Sequence, residues 1–379
     1  MIYFGLKFSD SPKGPPPPIL CLEVSDMCAR IAVAMSGGVD SSAAALLLRE
    51  EGHSLIGVTL RLFAPAGGGK DESGDARAVA RQLGIPHHVL DCADLFCREV
   101  MDRFVAAYEA GRTPNPCIEC NRRIKFGALL DKCLELGQEE VATGHYARRE
   151  YDAGSGRWLL KTALHPEKDQ SYVLYALTQE QLSRSRFPLG GLSKDEIRSI
   201  AAREGLASAH KSDSQDICFV PDGDYAAFIR RHTGREYPAG PFVDEEGRVL
   251  GEHTGIIGYT VGQRRGLGVS SDAGRLYVKE LRPAENTVVL SDNSSLFSRT
   301  LLADDLNLIA CSRLDGPVRL AAKARYRMAP QPCTVRQTGE GALRVTFDQP
   351  QRAITPGQAV VLYDGDTVVG GATILKGEL

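Results

Sequence analysis

Two cysteines, Cys117 and Cys120, stand three positions apart in the stretch NPCIECN. This spacing suits a redox pair, part of a metal site, or one catalytic thiol beside a bystander. Cys120 precedes a run whose apolar periodicity predicts a helix over 122–136, and a helix N-terminus lowers the pKa of a thiol. Arg122 and Arg123 would add a positive field there. The stretch therefore suits a thiolate or a persulfide at Cys120, and the three interpretations stay open at this point.

The stretch AMSGGVDSS is the second candidate for chemistry, because it lies between a predicted strand and a predicted helix. Gly37 and Gly38 permit a tight turn, while Ser36, Ser41 and Ser42 add hydroxyl donors near the positive end of the helix. Such a loop can hold a phosphate chain on backbone N–H groups. It lacks the lysine of GxxxxGK[ST] and the spacing of the dinucleotide fingerprint. An isolated SGG would favour an ordinary turn, but the whole string after the first strand favours a phosphate site.

The elements that position these stretches alternate between short apolar runs and amphipathic helical patterns. Strands joined by single helices imply right-handed crossovers and a parallel sheet covered on both faces, so the fold class is doubly wound α/β. The predicted strands are 31–35, 55–60, 87–92 and 139–144, and the predicted helices are 42–51, 75–83, 94–108 and 122–136.

Beyond this domain we expect a helical and peripheral region over 160–210, in which Ser193 and Glu196 form a capping box. After Cys218, glycine-rich turns and alternating runs predict a small β-rich middle domain and a C-terminal antiparallel β-barrel. Asp364-Gly365 predicts a hairpin turn within the barrel. The predicted divisions are a disordered extension over 1–27, an α/β domain over 28–217, a central domain over 218–284 and the barrel over 285–379.

The chain has 379 residues, of which 43% are hydrophobic and 25% charged, with a net charge of -3. This length allows two or three domains, and the composition is that of a soluble globular protein. No apolar run approaches the roughly 20 residues that span a bilayer, so we expect no membrane partner. The net charge gives no general sign of nucleic-acid binding. Ten cysteines in a chain of this size indicate a reducing, cytoplasmic compartment without structural disulfides.

Longer motifs add a family resemblance to these patterns. SGGVDSS resembles the PP-loop of ATP pyrophosphatases, which activate a carbonyl oxygen as an adenylate. GRTPNPCIECNRRIKFG, ATGHYA, KDQSYVLYAL, KSDSQDICFV and GYTVGQRRGLG resemble the sequential motifs of the tRNA-specific 2-thiouridylases, which sulfurate the wobble uridine of certain tRNAs. The resemblance extends from about residue 30 to the C-terminus. It implies a PP-loop domain, ATP with Mg²⁺, and a tRNA substrate. We expect the sulfur to originate from a cysteine desulfurase, while a relay protein, free sulfide and cluster-bound sulfide also fit as the immediate donor.

The resemblance also implies roles for individual residues. Cys120 would be the nucleophile, and Cys218 would carry a persulfide and close a disulfide with it as sulfur leaves. Asp40 would help to hold Mg²⁺. The implied ATP-binding residues are Ala34, Met35, Ser36, Gly37, Gly38, Val39, Asp40 and Ser41, with Leu60 and Gly144 near the nucleoside. The implied contacts to tRNA or its target base are Asn115, Pro116, Cys117, His145, Lys168, Asp169, Gln170, Arg325, Tyr326 and Gln358.

Cys117 departs from the family pattern, because many members carry aspartate at this position. Loss of that acid puts the source of proton transfer in doubt. Our hypothesis is that Cys117, Cys120 and Cys218 ligate three irons of a [4Fe-4S] cluster whose fourth iron carries sulfide. A structural zinc would need a fourth ligand that no motif offers, and the domain context does not suit a thioredoxin-like pair. A persulfide route through Cys120 and Cys218 is the alternative.

The remaining cysteines carry no motif. Cys133 falls on an apolar helical stripe and is predicted to be a small core residue. The others are interpreted as structural or incidental: Cys21, Cys28, Cys92, Cys97, Cys311 and Cys333.

A basic stretch near the C-terminus could follow tRNA phosphates. In KARYR, Lys323, Arg325 and Arg327 alternate with Ala324 and Tyr326, so a strand would project all three cations from one face. An ordinary solvated strand face is the alternative.

Two other functions fit parts of the sequence. A ligase or amidotransferase such as a GMP or NAD synthetase would share the PP-loop, but the ordered cysteine motifs and the barrel speak against it. A non-catalytic RNA-binding protein would leave the intact SGGVDSS loop and both cysteine motifs without a purpose.

Overall fold

The computed structural model describes residues 28–63, 73–206, 217–269 and 274–378. The predicted extension over 1–27, with Cys21, lies outside these described residues. So does the part of the motif KSDSQDICFV that precedes Ile217. In the described ranges, no helix is long and apolar enough to cross a membrane.

The first part of the chain alternates strands with helices, as expected. Its strands are β1 (Arg30–Ala34), β2 (Ser54–Arg61), β3 (His87–Asp91), β4 (Glu140–Ala142), β5 (Ala147–Asp152), β6 (Arg157–Thr162) and β7 (Ser185–Arg186). Its α-helices are α1 (Val39–Glu50), α2 (Ser73–Leu83), α3 (Ala93–Phe96), α4 (Asp102–Glu109), α5 (Pro116–Glu119), α6 (Leu129–Glu135), α7 (Gln179–Ser183) and α8 (Lys194–Arg203). The π-helical segments Cys97–Met101 and Cys120–Ala128 join α3 to α4 and α5 to α6.

Strands β3, β2, β1, β4 and β7 form a sheet in that spatial order, and each neighbouring pair is parallel. Ile31 and Val33 of β1 belong to an apolar cluster with α1, α2 and α8. Ala32, which points the other way, packs in a cluster with α6 that includes Leu129 and Cys133. Burial on both faces confirms the doubly wound α/β prediction and the core position of Cys133.

The middle domain contains α9 (Tyr225–Thr233) and the strands β8 (Gly240–Val243), β9 (Val249–His253), β10 (Tyr277–Arg282) and β11 (Thr287–Ser291). These strands pair in the order β10-β11-β8-β9. The core of this sheet is continuous with the first domain. Phe96 and Phe104 pack in the same cluster as Phe219, Phe228 and Phe242.

The C-terminal domain is an antiparallel barrel, as predicted. Its strands are β12 (Phe297–Leu308), β13 (Val318–Lys323), β14 (Gln331–Gln337), β15 (Leu343–Arg352), β16 (Ala359–Asp364) and β17 (Thr367–Glu378). Pairing runs β12-β15-β14-β13-β16-β17, and β12 pairs with β17 to close the circle. The predicted hairpin turn joins β16 to β17, where Gly365 adopts a φ of 58°. Hairpin β5–β6 extends the same sheet, because β6 pairs with β17.

The prediction that 160–210 is helical and peripheral was partly wrong. This region contains α7 and α8, and the capping box of Ser193 and Glu196 is confirmed. However, its first residues belong to β6. The segment from Tyr172 to Leu177 is fully buried in the cluster that joins the first domain to Val361 and Val368 of the barrel. A run that is apolar on every side suits an interior position better than an amphipathic surface helix.

The helix predicted over 122–136 begins earlier, which changes the position of Cys120. Asn115 is the N-cap, and its side chain accepts a hydrogen bond from the backbone N–H of Cys117. Pro116 occupies the first helical position, which suits its fixed φ. Cys117 therefore lies in the first turn, whereas Cys120 lies inside the helix. The expectation that the helix N-terminus acts on Cys120 was wrong.

The basic strand predicted at KARYR was also wrong in part. β13 ends at Lys323, and a turn follows. The ammonium of Lys323 lies 3.8 Å from Asp169 and 5.4 Å from the ring centroid of Tyr363, so it points into the protein. Arg325 and Arg327 are exposed on the turn. The three cations therefore do not share one strand face.

Candidate active site

The phosphate loop joins β1 to the first turn of α1, and Gly37 fixes its shape. The backbone of Gly37 has a φ of +73°, and a Cβ there would lie 2.8 Å from the Cβ of Asp75. Glycine alone accepts this conformation without strain and leaves room for the neighbour. The loop therefore packs closely against the start of α2.

Serine hydroxyls bond within the loop. Ser41 Oγ and Ser42 Oγ donate to the carbonyl oxygen of Gly38, at 3.1 and 2.9 Å. The backbone N–H of Ser36 donates to Ser41 Oγ at 3.2 Å. Two of the three predicted phosphate donors thus hold the loop in shape, and the side chain of Ser36 is exposed at its surface.

Asp40 stands in the first turn of α1, where its Oδ1 accepts two hydrogen bonds. The ammonium of Lys194 donates at 2.7 Å, and the hydroxyl of Tyr146 donates at 2.7 Å. Gly144 lies against the same turn, since a Cβ on it would be 2.8 Å from the carbonyl carbon of Asp40 and 2.9 Å from the N of Ser41. Gly144 thus makes room for the loop itself, and its predicted position near the nucleoside stays a prediction.

Of the other predicted nucleotide-binding residues, Ala34, Met35 and Leu60 lie at or near the carboxyl ends of the central strands. Ala34 ends β1, and the next residue, Met35, is buried and still pairs its N–H with the carbonyl of Val58 in β2. Val39 begins α1 and is buried in the core beneath the loop. Leu60 is half-buried near the end of β2. In parallel sheets this edge is where ligands bind.

The three motif cysteines come from two parts of the chain. Cys117 is exposed in the first turn of α5, and Cys120 is 8% exposed in the following π-helical segment. Cys218 is exposed in the turn over 217–220. Phe219, its neighbour, packs in the same apolar cluster as Cys120. All three are free thiols.

Cys117 and Cys218 are exposed as whole residues, but protein atoms packed around all three thiol groups keep much of the water away from the sulfur atoms, and this desolvation dominates their acidity. It raises the pKa of Cys218 to about 12, with further increases from the charges of Cys120 and Cys117. Burial also raises the pKa of Cys117 and of Cys120, and Cys92 contributes a small increase to Cys120. The thiols therefore lie close enough for their charges to interact, and the structure favours the protonated forms. This contradicts the lowered thiol pKa that we expected at Cys120.

Lys125, and not the predicted arginines, is the cation that acts on the thiols. Arg122 forms an ion pair with Asp305 at 2.8 Å, and Arg123 pairs with Glu119 at 2.6 Å. The charge of Lys125 lowers the pKa of Cys117, Cys120 and Cys218, in opposition to burial. Its position follows from the π-helical winding, about 4.4 residues a turn, which brings residues five apart onto neighbouring positions of one face.

We call the continuous helix formed by α5, the π-helical segment Cys120–Ala128 and α6 the cysteine helix. A loop of the barrel holds the turn that precedes it. The side-chain amide of Gln358 donates to the carbonyl of Thr113 at 2.7 Å, and the N–H of Thr113 donates to the carbonyl of Pro356 at 2.8 Å. Asn115 and Pro116 follow directly. Gln358, which was predicted to contact tRNA, therefore lies beside the other predicted contacts.

The triplet of Lys168, Asp169 and Gln170 lies beside the barrel turn of Arg325 and Tyr326. The hydroxyl of Tyr326 donates to the carbonyl oxygen of Asp169 at 3.2 Å. The Asp169 carboxylate is buried, where it accepts from Ser171, and Gln170 Oε1 accepts from the N–H of Tyr146 at 3.0 Å. Burial, then Asp169, then Cys117 raise the pKa of Tyr326, so this surface adjoins the thiols.

His145 is buried, at 7% exposure, and packs against the rings of Phe126 and Phe187, which also contact each other. Its Nδ1 lies 2.7 Å from the hydroxyl of Thr143. Burial and then the charge of Lys125 hold the pKa of His145 well below its usual range, so the imidazole is neutral. Its predicted contact with tRNA stays a prediction.

Comparisons with known families match the three domains in order. The tRNA methyl transferase HUP domain matches residues 29–222, the tRNA methyl transferase PRC-barrel domain matches residues 226–292, and the Aminomethyltransferase beta-barrel domain matches residues 298–374.

Curated relatives define the family more narrowly. A tRNA-specific 2-thiouridylase MnmA of Clostridioides difficile is 46% identical and aligns over 92% of this chain and 98% of its own length. Proteins of the same name from Heliobacterium modesticaldum and Moorella thermoacetica are both 51% identical, over 91% and 90% of this chain and 92% and 98% of their own. The chain belongs to the MnmA family of tRNA-specific 2-thiouridylases. As an MnmA-family enzyme it is an ATP-binding sulfurtransferase of tRNA modification, which confirms the predicted family and enzyme class.

In this MnmA-family chain the cysteine site is not a ready-made zinc site. Zinc needs sulfur ligands about 2.3 Å from the metal, and therefore less than 4 Å apart. Within the described ranges, one set of three residues places its possible ligand atoms within 4.8 Å of one another. This set is Cys97, Asp102 and His232, and it does not include the motif cysteines. The Asp102–His232 hydrogen bond of 2.6 Å accounts for that group. The three motif thiols suit a larger iron-sulfur unit in donor chemistry, since they offer sulfur alone.

Four residues of this MnmA-family site were missed from the sequence. Lys125 stands inside the recognised cysteine motif, but the nearer arginines were preferred. Tyr146 follows His145 in ATGHYA, and Lys194 follows the recognised cap Ser193. Cys92, interpreted as incidental, lies close enough to act on Cys120. Only their neighbours in the chain could have pointed to Tyr146 and Lys194, because their contacts with Asp40 come from distant segments.

Proposed function

We propose that this enzyme adenylates the C2 oxygen of the tRNA wobble uridine with ATP and replaces it by sulfur that passes through Cys120 and Cys218. The main support is that the charges of Cys117 and Cys120 act on Cys218 and that the charge of Cys117 acts on Tyr326, one of the residues expected to contact the target base. Adenylation turns the carbonyl oxygen into part of AMP, a far better leaving group than oxide.

The phosphate loop would hold ATP on its backbone N–H groups at the N-terminus of α1. Asp40 fits a Mg²⁺ role, because its partly exposed carboxylate lies at the first turn of that helix and Mg²⁺ prefers oxygen ligands. Bound Mg²⁺ would neutralise charge on the phosphates. The residues Ser36 to Ser41 keep that turn in shape through their own hydrogen bonds.

The sulfur step balances with two thiols and one persulfide. The terminal sulfur of a persulfide on Cys218 attacks C2, and AMP leaves with the former carbonyl oxygen. The thiolate of Cys120 then attacks Sγ of Cys218, which breaks the sulfur–sulfur bond and leaves the terminal sulfur on the base. A Cys120–Cys218 disulfide forms, and an external dithiol must reduce it before another round.

Surface residues around this centre would hold the tRNA. Lys168 and the exposed Arg325 would pair with phosphates, and Tyr326 offers an aromatic face on which a base extruded from its stack could lie. Asp169, Gln170 and Gln358 use their side chains within the protein, so we assign them to positioning this surface. We further propose that the sulfur comes from a cysteine desulfurase, directly or through a relay protein, in the cytoplasm.

A second route is favoured by Cys117. Its thiol lies with the other two thiols and with a cationic Lys125, an environment that suits three-cysteine ligation of a [4Fe-4S] cluster. Such a cluster would offer one iron without a protein ligand as a carrier of sulfide. In this route Cys117 would be a ligand, whereas in the persulfide route it stands in place of an acid.

Protein purified without oxygen tests both routes through the variant Cys117→Asp. Iron and acid-labile sulfide are measured first, and ATP-dependent thiolation of an unmodified tRNA transcript is then assayed with a persulfide donor. In the persulfide route Cys117→Asp stays active, while Cys120→Ser and Cys218→Ser are each inactive. In the cluster route Cys117→Asp loses iron and activity together. Wild-type protein that thiolates tRNA neither with the persulfide donor nor with an intact cluster would overturn the proposed function.

A further inference from the structure

Lys194 is a buried cation beside the phosphate loop. The residue is 7% exposed, and its ammonium is 2.7 Å from Oδ1 of Asp40 in the first turn of α1. It also lies 5.9 Å from the ring centroid of Tyr146. A buried ammonium is costly to desolvate, so its position requires compensation from the groups around it.

Packing of α8 fixes where this ammonium can reach. Lys194 is the first residue of α8, and the capping box between Ser193 and Glu196 sets the first turn. Ile197 and Ala201 of the same helix are buried in the cluster that contains α1. Because the helix backbone is held, the lysine stem can move its ammonium by only a few ångströms around the loop.

The charges near the loop call for such a cation. A nucleotide triphosphate is a polyanion, and the loop is flanked by two acids: Asp40, and Asp75, whose Cβ would be 2.8 Å from a Cβ on Gly37. The N-terminus of α1 offers only about half a positive charge. In phosphate loops of the GxxxxGK[ST] type, a lysine within the loop completes the charge balance. SGGVDSS has no lysine.

We propose that Lys194 is the phosphate-binding cation of this nucleotide site, contributed by α8 because the loop has no lysine of its own. Its ammonium holds Asp40 in this structure and lies within reach of a triphosphate held on the loop. This inference rests on the proposed use of ATP.

A purely structural role is the competing explanation, since the pair also links α1 to α8. The two explanations differ in what removal of the lysine changes. A structural link affects the melting temperature and can reach ATP only through Asp40, whereas a phosphate-binding cation affects the affinity for ATP directly. Three variants separate the two explanations: Lys194→Met, Lys194→Arg and Arg198→Met. Arg198→Met is the control, because Arg198 is an exposed cation on the same helix.

The experiment is isothermal titration of ATP into full-length protein without tRNA, with and without Mg²⁺, after circular dichroism has confirmed the fold. We expect Lys194→Met to weaken ATP binding by at least about tenfold, the usual effect of losing a charged hydrogen bond. Lys194→Arg should recover much of this loss, and Arg198→Met should match the wild type. Folded Lys194→Met with wild-type affinity would overturn the proposal.

A second comparison covers the case in which Lys194→Met does not fold. Asp40→Asn and Asp40→Asn/Lys194→Met remove the carboxylate that Lys194→Met would leave without its ammonium partner. If Lys194 binds phosphate, the double variant binds ATP at least several-fold more weakly than Asp40→Asn. Equal affinities would mean that the lysine serves only Asp40. A wild-type chain that binds no ATP would overturn this proposal together with the proposed function, whereas normal ATP binding without thiolation would overturn the proposed function alone.

Discussion

The side-chain amide of Gln358 in the barrel donates a 2.7 Å hydrogen bond to the carbonyl oxygen of Thr113, two residues before the N-cap of the cysteine helix. The barrel therefore takes part in positioning the thiols. Gly357 makes this contact close, because a Cβ on it would lie 2.9 Å from both the Cβ of Arg112 and the N of Thr113.

Gly357→Ala should displace this turn. Gly357 has a φ of +88°, and its neighbours leave little room for a side chain. We therefore expect the free energy of unfolding to fall by about 1–3 kcal/mol and the rate of thiolation to fall as well. Gly247→Ala is the matched control, since its φ is +82° and no atom lies within 4 Å of the added Cβ. Urea unfolding and tRNA thiolation of both variants check this. Similar losses in the two variants would contradict a role for the close contact.

Lys125→Met should slow sulfur transfer. The charge of Lys125 acts on Cys117, Cys120 and Cys218, so its removal should reduce the anionic sulfur and lower kcat by about tenfold or more. Lys125→Arg should retain part of the rate. Lys132→Met is the control, because Lys132 pairs with Glu135 on the exposed side of α6. Single-turnover thiolation with saturating tRNA measures the effect, and an unchanged rate in Lys125→Met would refute it.

Alkylation of Cys218 should increase with pH over an unusually long range. Burial raises its pKa to about 12, so the thiolate fraction should rise about tenfold per pH unit from pH 7 to pH 10 without levelling off. Iodoacetamide labelling followed by peptide mass spectrometry measures this rate. The same chain unfolded in urea is the control, where the rate should level off above pH 9. A plateau below pH 10 in the folded protein would show that the pKa of Cys218 is not raised as described.

Acidification should destabilise the fold through His145. Its pKa is held well below the usual value by burial, so the unfolded chain binds the proton first as pH falls below about 6.5. The neutral imidazole therefore contributes its full stabilisation above that pH. Below it, the free energy of unfolding falls by about 1.4 kcal/mol per pH unit. His145→Asn should lack this contribution between pH 7.5 and pH 5.5 in urea titrations. His88→Asn, at an exposed position, should keep the wild-type slope.

Local patterns predicted the fold class well. β1 and the loop that follows it are encoded by adjacent residues, and the cap at Ser193 and Glu196 acts within one turn. The cysteine helix begins before its predicted start because Asn115 and Pro116 form an N-terminal cap and first turn ahead of the apolar stripe. Its π-helical winding, which sets the positions of Cys120 and Lys125, has no comparable signature in the sequence.

Contacts between distant segments were beyond a local pattern. Asp40 and Lys194 are 154 positions apart, and only the packing of α8 on α1 brings them together. The acidity of Cys120 was predicted in the wrong direction, because helix position was considered and burial could not be. Burial is a property of the assembled core, to which the middle domain contributes Phe228 and Phe242.

The pairing of β6 with β17 has a consequence for biosynthesis. Thr367 pairs with Lys161, and Val368 pairs with Leu160, so an edge of the early hairpin is covered by a strand that the ribosome makes much later. Until β17 emerges, the nascent chain presents that edge and the apolar side of Leu160 to the cell. Chaperone binding during translation should therefore persist past completion of the parallel sheet and end only when the barrel closes.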